Sequence, residues 1–162
     1  GGSLGELKRI VDDGDGVDGL IDAIKGQGYE IVLLHVISNV AAATASVRDY
    51  MNAFGDNATH VAIINKTWGK DDADFPFWMG FNGANGVQKG GKARADLLAN
   101  GGAEIHFPAL QAGTFAKVDA ENLPFTAALE SADLSITEKA HLNKFLKASK
   151  EAFMEIKDKL GL

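Results

Sequence analysis

Two apolar runs, Ile31-Val32-Leu33-Leu34-His35-Val36-Ile37 and Val61-Ala62-Ile63-Ile64, are of strand length and β-branched, with almost no polar alternation. Continuous runs of this kind belong to strands buried on both faces, as in a parallel sheet. A shorter run, Ala103-Glu104-Ile105-His106-Phe107, stops at Pro108. A fourth, Leu7-Lys8-Arg9-Ile10-Val11, ends at Asp12-Asp13-Gly14-Asp15-Gly16, and its pattern also fits part of a helix.

Between these runs the period changes to that of a helix. Val17, Leu20, Ile21 and Ile24 share one helical face before Gly26 and Gly28. Val47, Tyr50, Met51 and Phe54 fall at i, i+3, i+4 and i+7, with Asn39 as the expected N-cap and Gly55 as the terminating glycine. Ala93, Leu97 and Leu98 mark a helix over 91–100. Ser135-Ile136-Thr137-Glu138 is a capping box, and Leu142, Phe145, Leu146, Phe153, Ile156 and Leu160 form an apolar stripe behind it.

The resulting order, β-α-β-α-β-loop-α-β-α-α, predicts an α/β fold: a mainly parallel, Rossmann-like sheet of about four strands flanked by helices, in a single domain over residues 1–162. Residues 67–90 have neither period and read as one long irregular loop, rich in Asp, Gly and aromatics (Trp68, Phe75, Phe77, Trp78, Phe81). A loop of that length in a compact domain is usually functional or mobile; here its aromatics read as a hydrophobic lid or a dimer contact.

Composition narrows the function. The net charge of −6 makes direct coating of nucleic acid by this chain unexpected. With no Cys there are no thiolate ligands or redox thiols. His35, His60, His106 and His141 show no metal-ligand spacing, and His35 and His106, inside apolar runs, read as core histidines. No apolar run has the length of a membrane span, and nothing near the start resembles an export signal, so a cytoplasmic protein is expected. Glycine is in excess, 19 of 162, with seven between Gly80 and Gly102. Such a cluster means sharp turns or backbone that closely approaches a ligand.

Open α/β sheets bind ligands beyond the carboxyl ends of their strands. The segments there would be Asp12-Asp13-Gly14-Asp15-Gly16, Ser38-Asn39, Asn65-Lys66-Thr67 and Pro108-Ala109-Leu110. The first, an apolar stretch ending in Asp-x-Gly-x-Gly, resembles a Walker B strand. Val61-Ala62-Ile63-Ile64-Asn65-Lys66 resembles the hydrophobic-run-then-Asn-Arg/Lys strand of the ParA/MinD-type partitioning ATPases, and Glu104 to Leu110 resembles their Ile-Pro strand. Phe125 to Leu129 and the final helix are similar to that family's C-terminal end, closest to plasmid-stability and conjugal-transfer members.

The resemblance implies a P-loop-NTPase-like nucleotide-binding domain, ATP with Mg²⁺, a homodimer, and a role in moving DNA cargo. It implies that Asp12 orders the metal or its water as the catalytic carboxylate. Asn65 and Lys66 would meet the base, and Pro108, Ala109 and Leu110 would pack on it.

The chain departs from that pattern at its beginning. The Lys-Gly-Gly-x-Gly-Lys-Ser/Thr phosphate loop is missing upstream of Asp12, so the expectation is the C-terminal two-thirds of such a domain, without ATP hydrolysis on its own. Gly86-Val87-Gln88-Lys89-Gly90-Gly91-Lys92-Ala93 imitates the loop but has Ala93 where a Ser/Thr hydroxyl should hold Mg²⁺. Two other readings stay open. One is a non-catalytic interaction module using residues 67–90 or the basic final helix. The other is a flavodoxin-like or stress-protein-like domain that holds an anion with residues 86–94.

Overall fold

A computed structural model of the chain describes Arg9 and residues 15–162. Asp12 and the Leu7–Val11 run, apart from the helical Arg9, lie outside the described residues. The elements are α1 (Asp15–Gly26), β1 (Ile31–Ile37), α2 (Ala41–Phe54), β2 (Ala58–Asn65), α3 (Pro76–Met79), the short strands β3 (Phe81–Asn82) and β4 (Gln88–Lys89), α4 (Lys92–Ala99), β5 (Ala103–Phe107), α5 (Ala112–Ala120), α6 (Phe125–Ala128) and α7 (Ile136–Met154).

The main sheet has three parallel strands among the described residues, in the order β1-β2-β5, where about four were expected. β2 is central, which explains why Val61 to Ile64 are all buried. One face carries Ile37, Ala62 and Ile64 against Val47 of α2 and Ala93 and Leu97 of α4. The other carries Val61, Ile63 and Ile105 against Ala152 of α7 and Ile156 just beyond it. The register sets Leu34 beside Val61 and Val36 beside Ile63. Yet Leu34 and Val36 are 47% and 56% exposed: α7 lies over the β5 side of that face, and of the three β1 residues there only Val32 packs against the cluster. A third cluster, Val118, Ala128, Leu134 and Leu142, joins α5, α6 and α7.

Residues 67–90, expected to be an irregular loop, fold into short elements: a 3₁₀ turn at Asp72–Asp74, α3, and the β3–β4 hairpin. Phe75 and Trp78 are fully buried core residues, not parts of a lid. Each buries about 150–250 Å², roughly 4–6 kcal/mol of gross hydrophobic stabilisation, which offsets the entropy of ordering the segment. The indole N–H of Trp78 donates to Glu104 Oε2 at 2.7 Å, and Arg94 grips both oxygens of that carboxylate at 2.8 and 3.0 Å. Only Trp68, Phe77 and Phe81 of the aromatics stay exposed.

Three smaller expectations also change. Val40, not Asn39, is the N-cap of α2 and supplies no side-chain bond; the Asn39 amide donates instead to the Trp68 carbonyl at 3.3 Å. His106 is exposed, on a strand that is the outer one of the sheet among the described residues. α7 ends at Met154, so Ile156 and Leu160 reach the core from the turn that follows. The capping box is as expected: the Ser135 hydroxyl accepts from Glu138 N, and the Glu138 carboxylate accepts from Ser135 N at 2.8 Å.

Candidate functional site

Parallel pairing aligns the carboxyl ends of β2 and β5. Asn65 stands beside Phe107, and Lys66 N donates to the Phe107 carbonyl at 2.9 Å. The two segments singled out from sequence, Asn65-Lys66 and Pro108-Ala109-Leu110, therefore leave the sheet side by side. Strand pairing ends where Pro108 removes a backbone donor.

Asn65 folds back on its own turn. Its side-chain oxygen accepts from Thr67 N at 3.0 Å, which leaves the amide nitrogen without a partner among the described residues. Lys66 turns away from the β5 side. Its ammonium donates to the Lys70 carbonyl at 2.9 Å, lies 3.7 Å from Asp72 Oδ1, and sits 5.5 Å from the centre of the Phe75 ring. Asp74 completes this loop by accepting from Asp71 N and Lys70 N, which hold its carboxyl below the usual range. Lys66 thus anchors the start of the 67–75 segment.

Pro108, Ala109 and Leu110 line a cavity of about 280 Å³, closed on the far side by His141, Lys144 and Phe145 of α7. Gln111 shapes its rim. The Gln111 side-chain oxygen accepts from Thr114 N at 2.7 Å and from the Thr114 hydroxyl at 3.1 Å, capping α5; that hydroxyl lies 3.4 Å from His141 Nδ1. Thr114 is fully buried, so this small network fixes the loop after β5 against α7. The α7 contribution was missed in the sequence, although His141, Lys144, Phe145 and Ala148 have the i, i+3, i+4, i+7 spacing of one helix face.

The imitation phosphate loop does not follow a strand of the main sheet. Gln88 and Lys89 form the second arm of the hairpin, outside the main sheet. Gly90 and Gly91 are both left-handed, and a Cβ on Gly90 would come within 2.7 Å of the Pro76 carbonyl. Those glycines allow the backbone to pass close to α3 before α4 begins. Arg94, the third cation of the segment, is committed to Glu104.

Among the described residues no group of three His, Asp or Glu side chains is arranged to hold a metal ion. Among the described residues no helix is long and apolar enough to cross a membrane. No protein-family model, curated protein or solved structure matches this chain.

Proposed function

We propose that this α/β domain binds a nucleotide at the carboxyl edge of its sheet, with the Asn65 amide at the base edge and Pro108, Ala109 and Leu110 against the base. The single observation behind this reading is the Lys66–Phe107 backbone bond, which sets Asn65 next to a loop that lines an apolar-walled cavity. Asn65 does not line that cavity itself. Its amide, unpartnered among the described residues, leaves the sheet on the neighbouring strand end, which suits a planar heterocycle that needs one polar contact for orientation.

The fit to ATP with Mg²⁺ covers the base half only. Among the described residues nothing supplies a phosphate loop between a strand of the main sheet and a helix, and the proposed metal carboxylate, Asp12, is outside them. We therefore derive no hydrolytic step. The resemblance to ParA/MinD-type ATPases carries the proposal on to a part in plasmid or DNA partitioning or transfer, with homodimerisation.

Calorimetry with ATP and with GTP tests the reading. ATP is expected to bind more tightly, and Asn65→Asp, which keeps the acceptor for Thr67 N but loses the amide donors, should weaken ATP selectively. Equal binding of both nucleotides, unchanged by Asn65→Asp, refutes it.

One observation favours the interaction-module reading: Leu34 and Val36 are exposed side by side on a strand that, among the described residues, pairs only with β2. Unprotected edges invite strand addition. Light scattering on the Leu34→Lys/Val36→Lys variant tests this: association through this edge predicts a change in association state, and an unchanged state refutes it.

A further inference from the structure

Outer strands are normally protected from pairing by charged side chains, Pro or a bulge. β1, an outer strand of the sheet among the described residues, has none of these. From Ile31 to Ile37 it holds no Asp, Glu, Lys, Arg, Pro or Gly, and its register with β2 runs unbroken over the same residues. Pairing with β2 occupies the backbone groups on one side of the strand and leaves those on the other side at the outer edge. The opposite outer strand differs: β5 is shorter, carries Glu104, and is followed by Pro108.

The flanks of this edge are apolar. α1 covers one face of β1, with Val17 and Ile21 against Ile31 and Leu33. On the other face Leu34 and Val36 are exposed, as are Tyr29 just before the strand and Val40 just after it. Clustered exposure of large apolar side chains marks an interaction surface.

Charge and symmetry select the partner. The chain carries a net charge of −6, and Ile31 to Val47 is its longest stretch without Asp, Glu, Lys or Arg. A second copy meets this edge without setting like charges against each other, whereas a strongly charged partner finds no opposite charge in the strand. The strand is also self-complementary. With two copies antiparallel about a two-fold axis at Leu34, Leu34 of one faces Leu34 of the other, Val32 faces Val36, and Ile31 faces Ile37. Leu33 faces His35, whose ring is held in the core by His60.

We infer that two copies of the chain join through β1, edge to edge and antiparallel about Leu34, so that two three-stranded sheets become one continuous sheet. This rests on the interaction reading above, adds the partner and the register, and requires no nucleotide.

Because the chain has no Cys, an introduced one is its sole thiol and reports the pairing directly. Opposed residues of an antiparallel pair have Cα atoms about 4.5–5.5 Å apart, inside the range of about 4.4–6.8 Å that a disulfide spans. Under mild oxidation Leu34→Cys, at an exposed position, should cross-link to itself almost completely. Val36→Cys alone should not, because its two copies would stand four residues apart along the seam, about 14 Å. A mixture of Val32→Cys and Val36→Cys should cross-link between the two variants. Light scattering should show a dimer of the unmodified chain that Leu34→Lys/Val36→Lys dissociates. A monomer, or a dimer that the Lys variant leaves intact, overturns both this inference and association through the edge. A dimer that the Lys variant dissociates, but in which Leu34→Cys fails to cross-link or Val36→Cys links to itself, overturns the pairing about Leu34 and leaves association through the edge standing.

Discussion

His35 and His60 meet in the core: His35 Nε2 lies 2.9 Å from His60 Nδ1, with their rings stacked at 5.2 Å and 6°. The far nitrogen of His60 lies 3.2 Å from the Gly55 carbonyl. That carbonyl can only accept, so His60 carries its proton on Nε2 and His35 donates to His60 Nδ1. His60 is therefore neutral, and Tyr50 is tilted over His35. Burial, reinforced by His60, pushes the His35 pKa down to about 4, and burial also lowers that of His60.

Stability should accordingly fall as the pH is lowered from 6.5 towards about 4. Between pH 6.5 and about 4 the unfolded chain takes up a proton at His35 that the native state refuses. The stabilisation is complete above pH 6.5 and lost on the way down, on the order of 2–3 kcal/mol. Glu138, held at about 2 chiefly by Lys117, and Asp74 contribute only at lower pH. Urea denaturation at pH 7 and pH 5 should show the loss, and His35→Leu should flatten it. An equal slope in the variant would assign the effect elsewhere.

Glu104→Ala should destabilise the fold by about 2–3 kcal/mol, because it strands the buried Trp78 N–H and releases Arg94. Glu104→Gln, which keeps one acceptor, should cost less. Denaturation followed by tryptophan fluorescence compares the two; the reverse order would contradict the proposed role of the carboxylate.

Gly102→Ala should also be costly. The added Cβ would stand 2.6 Å from Leu97 Cδ2 and 2.7 Å from the His60 and Leu97 carbonyls. Overpacking of this kind costs about 1–3 kcal/mol, and here two of the three obstacles are backbone. Ser135→Ala, by contrast, removes one cap and should cost only about 1 kcal/mol. Thermal melts of the two variants side by side check the ranking.

These residues also show what the chain discloses before it is folded. The strands at 31–37 and 61–64 and the capping box at Ser135 follow from local pattern, because burial on both faces and helix initiation are written in adjacent residues. α5 was not legible: its N-cap is Gln111, an uncommon capping residue, and Gly113 sits in its first turn. The order within 67–90 depends on Glu104, 26 residues after Trp78, accepting from the Trp78 indole N–H, which no local window contains. At the site, Asn65 and Pro108 could be picked out as strand ends. The wall from His141, Lys144 and Phe145 arises only from tertiary packing.

Adenosine binding, mapped by amide shifts, tests the central claim most directly, because the base and its contacts are then probed without any phosphate. Nucleotide recognition at the carboxyl edge predicts saturable shifts at Asn65 to Thr67 and at Ala109 to Gln111, reduced in Asn65→Asp. Saturating adenosine with no shift in either segment would contradict it.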